Sequence, residues 1–63
     1  MQFDLFRVEV DGRLFWLGVA TDLEDARRRV KVLSAHSNRG FCAIDRVTEE
    51  KIVLKGVEPS GPE

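Results

Sequence analysis

Several common devices are missing from this chain. It has one Cys, one His, one Trp, two Pro and no Tyr in 63 residues. A single Cys42 excludes an internal disulfide. One His36 and one Cys42 cannot supply the four clustered ligands of a structural zinc. No apolar run approaches the roughly 18 residues of a membrane-spanning helix. The start, Met1 to Arg7, lacks the basic lead-in and unbroken apolar stretch of a signal peptide. The expectation is a soluble, cytoplasmic protein, which a lone free thiol fits. Catalytic motifs are also missing: there is no G-x-S-x-G, no glycine-rich phosphate loop, no H-E-x-x-H and no paired Cys motif. Neither an enzyme nor a cofactor is expected, and no small-molecule substrate is indicated.

What remains is one small domain, 43% hydrophobic and 33% charged. A chain of this size buries only about 60% of its unfolded surface and so has a thin core. Without a disulfide or metal staple, it depends on an efficient core or on a partner subunit.

The pattern along the chain predicts strand, strand, helix, strand, strand. Phe6, Val8 and Val10 share one parity, and Leu5, Arg7 and Glu9 the other. Asp11-Gly12 then separates this run from Arg13–Val19. Asp-Gly between two β-prone runs predicts a two-residue hairpin turn. That turn would pair Val8 with Phe15, Arg7 with Trp16 and Leu5 with Gly18. Thr21-Asp22-Leu23-Glu24 reads as a capping box. Leu23, Ala26, Val30 and Leu33 follow as an apolar stripe, which predicts a helix over 22–37. Residues 41–47 and 51–55 read as a second hairpin. A three-residue loop, Thr48-Glu49-Glu50, would pair Ile44 with Leu54 and Arg46 with Ile52. Residues 58–63 carry no apolar side chain but Pro and are expected to fray. The fold class is therefore α+β: a single ββαββ domain over 1–57, with a four-stranded antiparallel sheet and one helix on one face.

In this register the helix stripe covers Phe6, Val8, Phe15, Leu17, Ile44, Ile52 and Leu54. The other sheet face then shows Leu5, Arg7, Leu14, Trp16, Phe41 and Val53. About half of that face is apolar, where an open-faced sheet is normally polar. The first functional expectation is a non-catalytic interaction module that uses these six residues to form a homodimer or bind a protein. The competing reading lays Arg7 over Trp16 as a local cation–π pair.

The second expectation is nucleic-acid binding through Arg7, Arg13, Arg27, Arg28, Arg29 and Lys31. Residues 22–39 carry a net +2 and the remainder −3. The helix is therefore a basic element on a slightly acidic body. Glu24 to Arg28 and Asp25 to Arg29 are favourable i,i+4 pairs that neutralise part of it. Arg7, Arg13 and Trp16 are residue types with which strands contact nucleic acid. Phe15-Trp16-Leu17-Gly18, followed by Thr21, Glu24 and Ala26, resembles the strand-to-helix joint of the plant ethylene-response type of DNA-binding domain. That family has three strands before its helix and reads DNA with Arg and Trp on its sheet. The resemblance covers residues 15–26 alone. This chain has two strands before the helix and lacks the Arg-rich first strand, so the DNA-binding function is not carried over.

His36 stands six residues from Cys42, but it reads as a helix C-terminal residue and Cys42 as a small buried strand residue. Asp45, Glu49 and Glu50 read as solvated turn charges. Val32 lies opposite the helix stripe, a lone apolar residue on the outer face.

Overall fold

The computed structural model describes residues 2–56. Val57 and the expected tail at 58–63 lie outside the described residues. The elements are β1 (Phe3–Val8), β2 (Leu14–Ala20), α1 (Leu23–Leu33), a 3-10 turn (Ser34–His36), β3 (Gly40–Asp45) and β4 (Lys51–Lys55). This is the ββαββ, α+β unit. The strands form one antiparallel sheet in the order β2-β1-β3-β4. β1 is therefore central, and α1 carries the chain past it from β2 to β3.

The first turn has three residues, not two. The Glu9 N–H donates to the Arg13 carbonyl at 2.8 Å, and the Gly12 N–H to the Glu9 carbonyl at 2.9 Å. Gly12 holds φ +90°, the left-handed residue that closes this kind of loop. The Asp11 carboxylate accepts from the backbone N–H and Nε of Arg13, at 3.0 and 2.7 Å. The pairing is accordingly Val8 with Leu14, Arg7 with Phe15 and Phe6 with Trp16. A shift of one residue exchanges the faces. Beyond Trp16 the register slips once: Leu17 is an unpaired extra residue and Gly18 takes φ +146°. Leu5 then faces Gly18, as the sequence predicts.

The second hairpin departs similarly. The Asp45 N–H donates to the Glu50 carbonyl, and the Glu49 N–H to the Asp45 carbonyl. The Asp45 carboxylate accepts from Val47 and Thr48 N–H groups at 2.8 and 3.1 Å. These bonds close residues 46–49 into the loop, with Glu49 at φ +65°. Ala43 pairs with Ile52, Cys42 with Val53 and Ile44 with Lys51. The offset from the expected register is odd, so β4 presents its other face relative to β3.

Asp22, rather than Thr21, caps α1 by accepting the Asp25 N–H at 2.8 Å. Asp25 reaches back to Thr21, accepting from its N–H and hydroxyl at 3.1 and 3.4 Å. The cap thus lies one residue later than expected, and the reach-back goes to the residue before the cap rather than to the cap's own N–H. The helix ends at Leu33 instead of residue 37, and its last turn tightens into the 3-10 segment.

The core comprises Phe3, Leu5, Ala20, Ala26, Val30, Phe41 and Ala43, with Leu17, Leu23, Ile52 and Leu54 packed around it. Two residues expected on the partner surface belong here: Leu5 is 2% exposed and Phe41 1%. The reason is that β1 and β3 are apolar at both parities (Phe3 and Leu5 against Phe6 and Val8; Phe41 and Ala43 against Cys42 and Ile44). Alternation therefore does not choose the helix-covered side. Ile52, Leu54 and Leu17 pack on the helix side as expected, whereas Phe6, Val8 and Ile44 do not join the core.

Replacing a buried aromatic leaves an uncollapsed cavity. Phe41→Ala is expected to lose roughly 3–5 kcal/mol, enough to abolish cooperative thermal unfolding followed by far-ultraviolet circular dichroism. A melting temperature close to the parent's would contradict this core assignment.

Candidate functional site

The observed register puts three rows of largely apolar residues on the sheet face away from α1, the third interrupted by charge. Trp16, Phe6, Cys42 and Val53 form one row across all four strands. Leu14, Val8 and Gly40 lie on one side of it, and Val19, Asp4, Ile44 and Lys51 on the other. Asp4 and Lys51 are the charged residues among these positions. Trp16 is 57% exposed and Val53 64%, and Leu14 is also exposed. Phe6, Val8, Val19 and Ile44 are half-buried by their neighbours.

A polar clip orients the tryptophan. The indole Nε1–H of Trp16 donates to Asp4 Oδ1 at 3.1 Å. Arg46 Nε approaches Asp4 Oδ2 at 3.6 Å. The ring therefore lies over the sheet face with its one polar atom satisfied. Cys42 sits in the middle of the central row, fully buried and free. Burial pushes its thiol upward, and nearby Lys51 only partly opposes this.

Three of the six expected partner residues, Leu14, Trp16 and Val53, meet on this face. Leu5 and Phe41 lie in the core. Arg7 is on the helix side with its guanidinium 4.7 Å from the centre of the Phe15 ring, not over Trp16. It donates from Nε to Glu9, which Arg39 also binds. Phe6, Val8, Val19 and Ile44 were not expected on the open face. The signal for Phe6, Val8 and Ile44 is that β1 and β3 are apolar at both parities, whereas Val19 follows the register slip in β2.

The basic residues divide between separate places. Arg13 stays with Asp11 at the first turn. Arg7 and Arg13 line a hollow with Phe15, away from the helix arginines. Arg28 and Arg29 both reach the Asp25 carboxylate, at 3.1 and 3.3 Å. Arg27 and Lys31 are exposed on α1. Arg7 and Trp16, which the sheet-based nucleic-acid reading needs together, lie on opposite faces.

A second concavity opens between α1 and the β2 edge, with a volume of about 430 Å³. Leu5 and Leu17 form its floor, Val32 and Leu33 its helical wall, and Arg28 and Arg29 its rim. The Thr21 N–H bonded to Asp25, followed by Arg29 and Arg28, holds that carboxyl below its ordinary value against the opposing effect of burial.

Among the described residues, no group of three or more His, Cys, Asp or Glu side chains is placed to hold a metal ion, and no helix is long and apolar enough to cross a membrane. Comparison with family models, curated proteins and solved structures finds no match to this chain.

Asp25 and Asp45 both have folded pKa values below the ordinary 3.8, Asp45 through the Val47 and Thr48 N–H groups. The unfolded chain therefore takes up protons first as pH falls. The stabilisation is complete above pH 3.8 and is lost as pH falls through the folded values. Thermal stability is expected to hold from neutrality to about pH 5 and fall below about pH 4. Asp25→Asn should lower the melting temperature at neutral pH and flatten the acid decline. An unchanged neutral melting temperature would rule out the Asp25 cluster as a stabilising element.

Proposed function

We propose that this chain is a non-catalytic interaction module whose open sheet face packs against the same face of a second copy. One observation carries the reading: the cross-sheet row Trp16-Phe6-Cys42-Val53, flanked by Leu14, Val8, Val19 and Ile44, is left uncovered by the helix. A sheet that meets water on one side is normally polar there. Central strands that are apolar at both parities suit a sheet covered on both faces.

The area fits a dimer. The exposed apolar part of these side chains is on the order of 400 Å². A standard interface buries about 800 Å² per partner, a little over half of it apolar. At roughly 25 cal/mol per Å², 400 Å² contributes about 10 kcal/mol per subunit before association costs. The charges also suit self-pairing. Asp4 and Lys51 stand in one row two strands apart, so a two-fold axis can bring each near the other on the second copy. A reducing, cytoplasmic setting is consistent with the buried free thiol beneath the interface.

Sedimentation equilibrium at tens of micromolar is expected to report twice the chain mass of 7.2 kDa. Trp16→Glu combined with Val53→Lys should give a folded monomer, because both residues are exposed in the single chain and contribute little to its core. A parent chain that remains monomeric at 100 µM would overturn the reading.

A further inference from the structure

We infer that the cleft between α1 and β2 is a docking groove for an extended acidic peptide, which joins the sheet as a fifth strand along β2. Two independent features meet at this place. One is the sheet edge. Each outer strand of a sheet carries a row of unpaired N–H and C=O groups, and proteins usually guard it with charge or brevity. β4 is guarded: it has five residues, with Lys51 and Lys55 at its ends. β2 has seven residues, Leu-Phe-Trp-Leu-Gly-Val-Ala, none of them charged. The Arg13 carbonyl points towards β1 to accept from Glu9. By antiparallel alternation, Leu14 and Trp16 then turn their N–H and C=O groups outward. These groups are the backbone partners of the added strand.

The other feature is the groove beside that edge. Leu17, on the same parity as Phe15 and left unpaired by the slip, lies on the helix side, where it forms the floor with Leu5. Val32, 68% exposed on α1, lines this space together with Leu33, and the core uses neither of them. A strand laid along β2 alternates its side chains between the two sheet faces. One parity enters the groove, and the other lies beside Leu14 and Trp16. Recognition by strand addition works in this way: backbone bonds hold the peptide and alternate pockets select it.

The rim sets the sign of the partner's charge. Arg28 and Arg29 share a single carboxylate, Asp25, so one positive charge is in excess. Arg28 spends one Nη2 donor on it and Arg29 its Nε, which leaves guanidinium N–H groups to receive another carboxylate. The peptide is therefore an extended segment with an apolar side chain for the groove and a neighbouring Asp or Glu for the rim. The groove and its arginine rim lie on the helix side of the sheet, and the added strand shares only Leu14 and Trp16 with the proposed dimer face. Val32→Glu and Arg28→Gln therefore test the groove while leaving the dimer face intact.

The probe is a random octapeptide library displayed on phage and selected on the immobilised full chain. Enriched peptides are then synthesised with a fluorescent label and measured by anisotropy. The expected winners combine alternating apolar residues with at least one Asp or Glu. Val32→Glu and Arg28→Gln, each with unchanged circular dichroism, should weaken binding by about tenfold or more. N-methylation along the peptide backbone should abolish binding at one parity only. Three results would overturn the inference: no enrichment above a blank support, winners rich in Lys and Arg, or binding to Val32→Glu as tight as to the parent chain.

Discussion

A helix of eleven residues is about 16 Å long and covers one face of a four-stranded sheet. That limit on coverage governs the rest of the molecule. The helix offers Leu23, Ala26 and Val30 to the sheet, and they meet Phe3, Leu5, Phe41 and Ala43. The sheet's remaining apolar side chains must face away. They gather in rows because the two central strands carry apolar residues at both parities. The open face is therefore a direct outcome of strand composition and of how far a single short helix reaches.

Turn chemistry decides which residues occupy each face. The extra turn residue at Val10 places Trp16 beside Phe6 and removes it from Arg7. The Asp45 carboxylate, bound to two loop N–H groups, sets the length of the second turn and so places Val53 beside Cys42. Both devices are local and polar, yet they decide which large apolar side chains meet along the strands beyond them. The Asp4 clip then fixes the indole over the face that the turns have assembled. Electrostatics here does little to hold the core together and much to orient what lies outside it.

Much of this was legible in the residues. The order of elements follows from the alternating runs, the polar breaks and the 3.6-residue stripe of α1. The burial of Cys42 and the existence of a second apolar face were also readable, because 43% hydrophobic content exceeds what one helix can cover. The identity of that face was not. Asp-Gly is compatible with a two-residue turn or with the end of a three-residue one, and the difference exchanges every side chain near the turn. The parity of β1 gives no help, since Phe3 and Leu5 balance Phe6 and Val8. Leu17 is unpaired in β2, and Leu54 is unpaired in β4 between the Cys42–Val53 and Phe41–Lys55 pairs. Both slips change local parity again, and only Gly18 beside Leu17 marks either in the sequence. The groove against α1 was hidden for another reason: it depends on how the helix lies over Leu5 and Leu17, which no spacing in the sequence records.

The central position of β1 also bears on how the chain acquires its structure. β1 pairs with β2 through a three-residue turn and with β3 only after α1 has crossed over. The first hairpin forms from near neighbours, while the second edge of β1 waits for residues more than thirty positions later. No half of the sequence is a domain in miniature, since cutting between α1 and β3 strips a central strand of one neighbour. The sheet is therefore closed by the long-range pairing of β1 with β3, which joins the two hairpins and carries the greatest loop-closure cost.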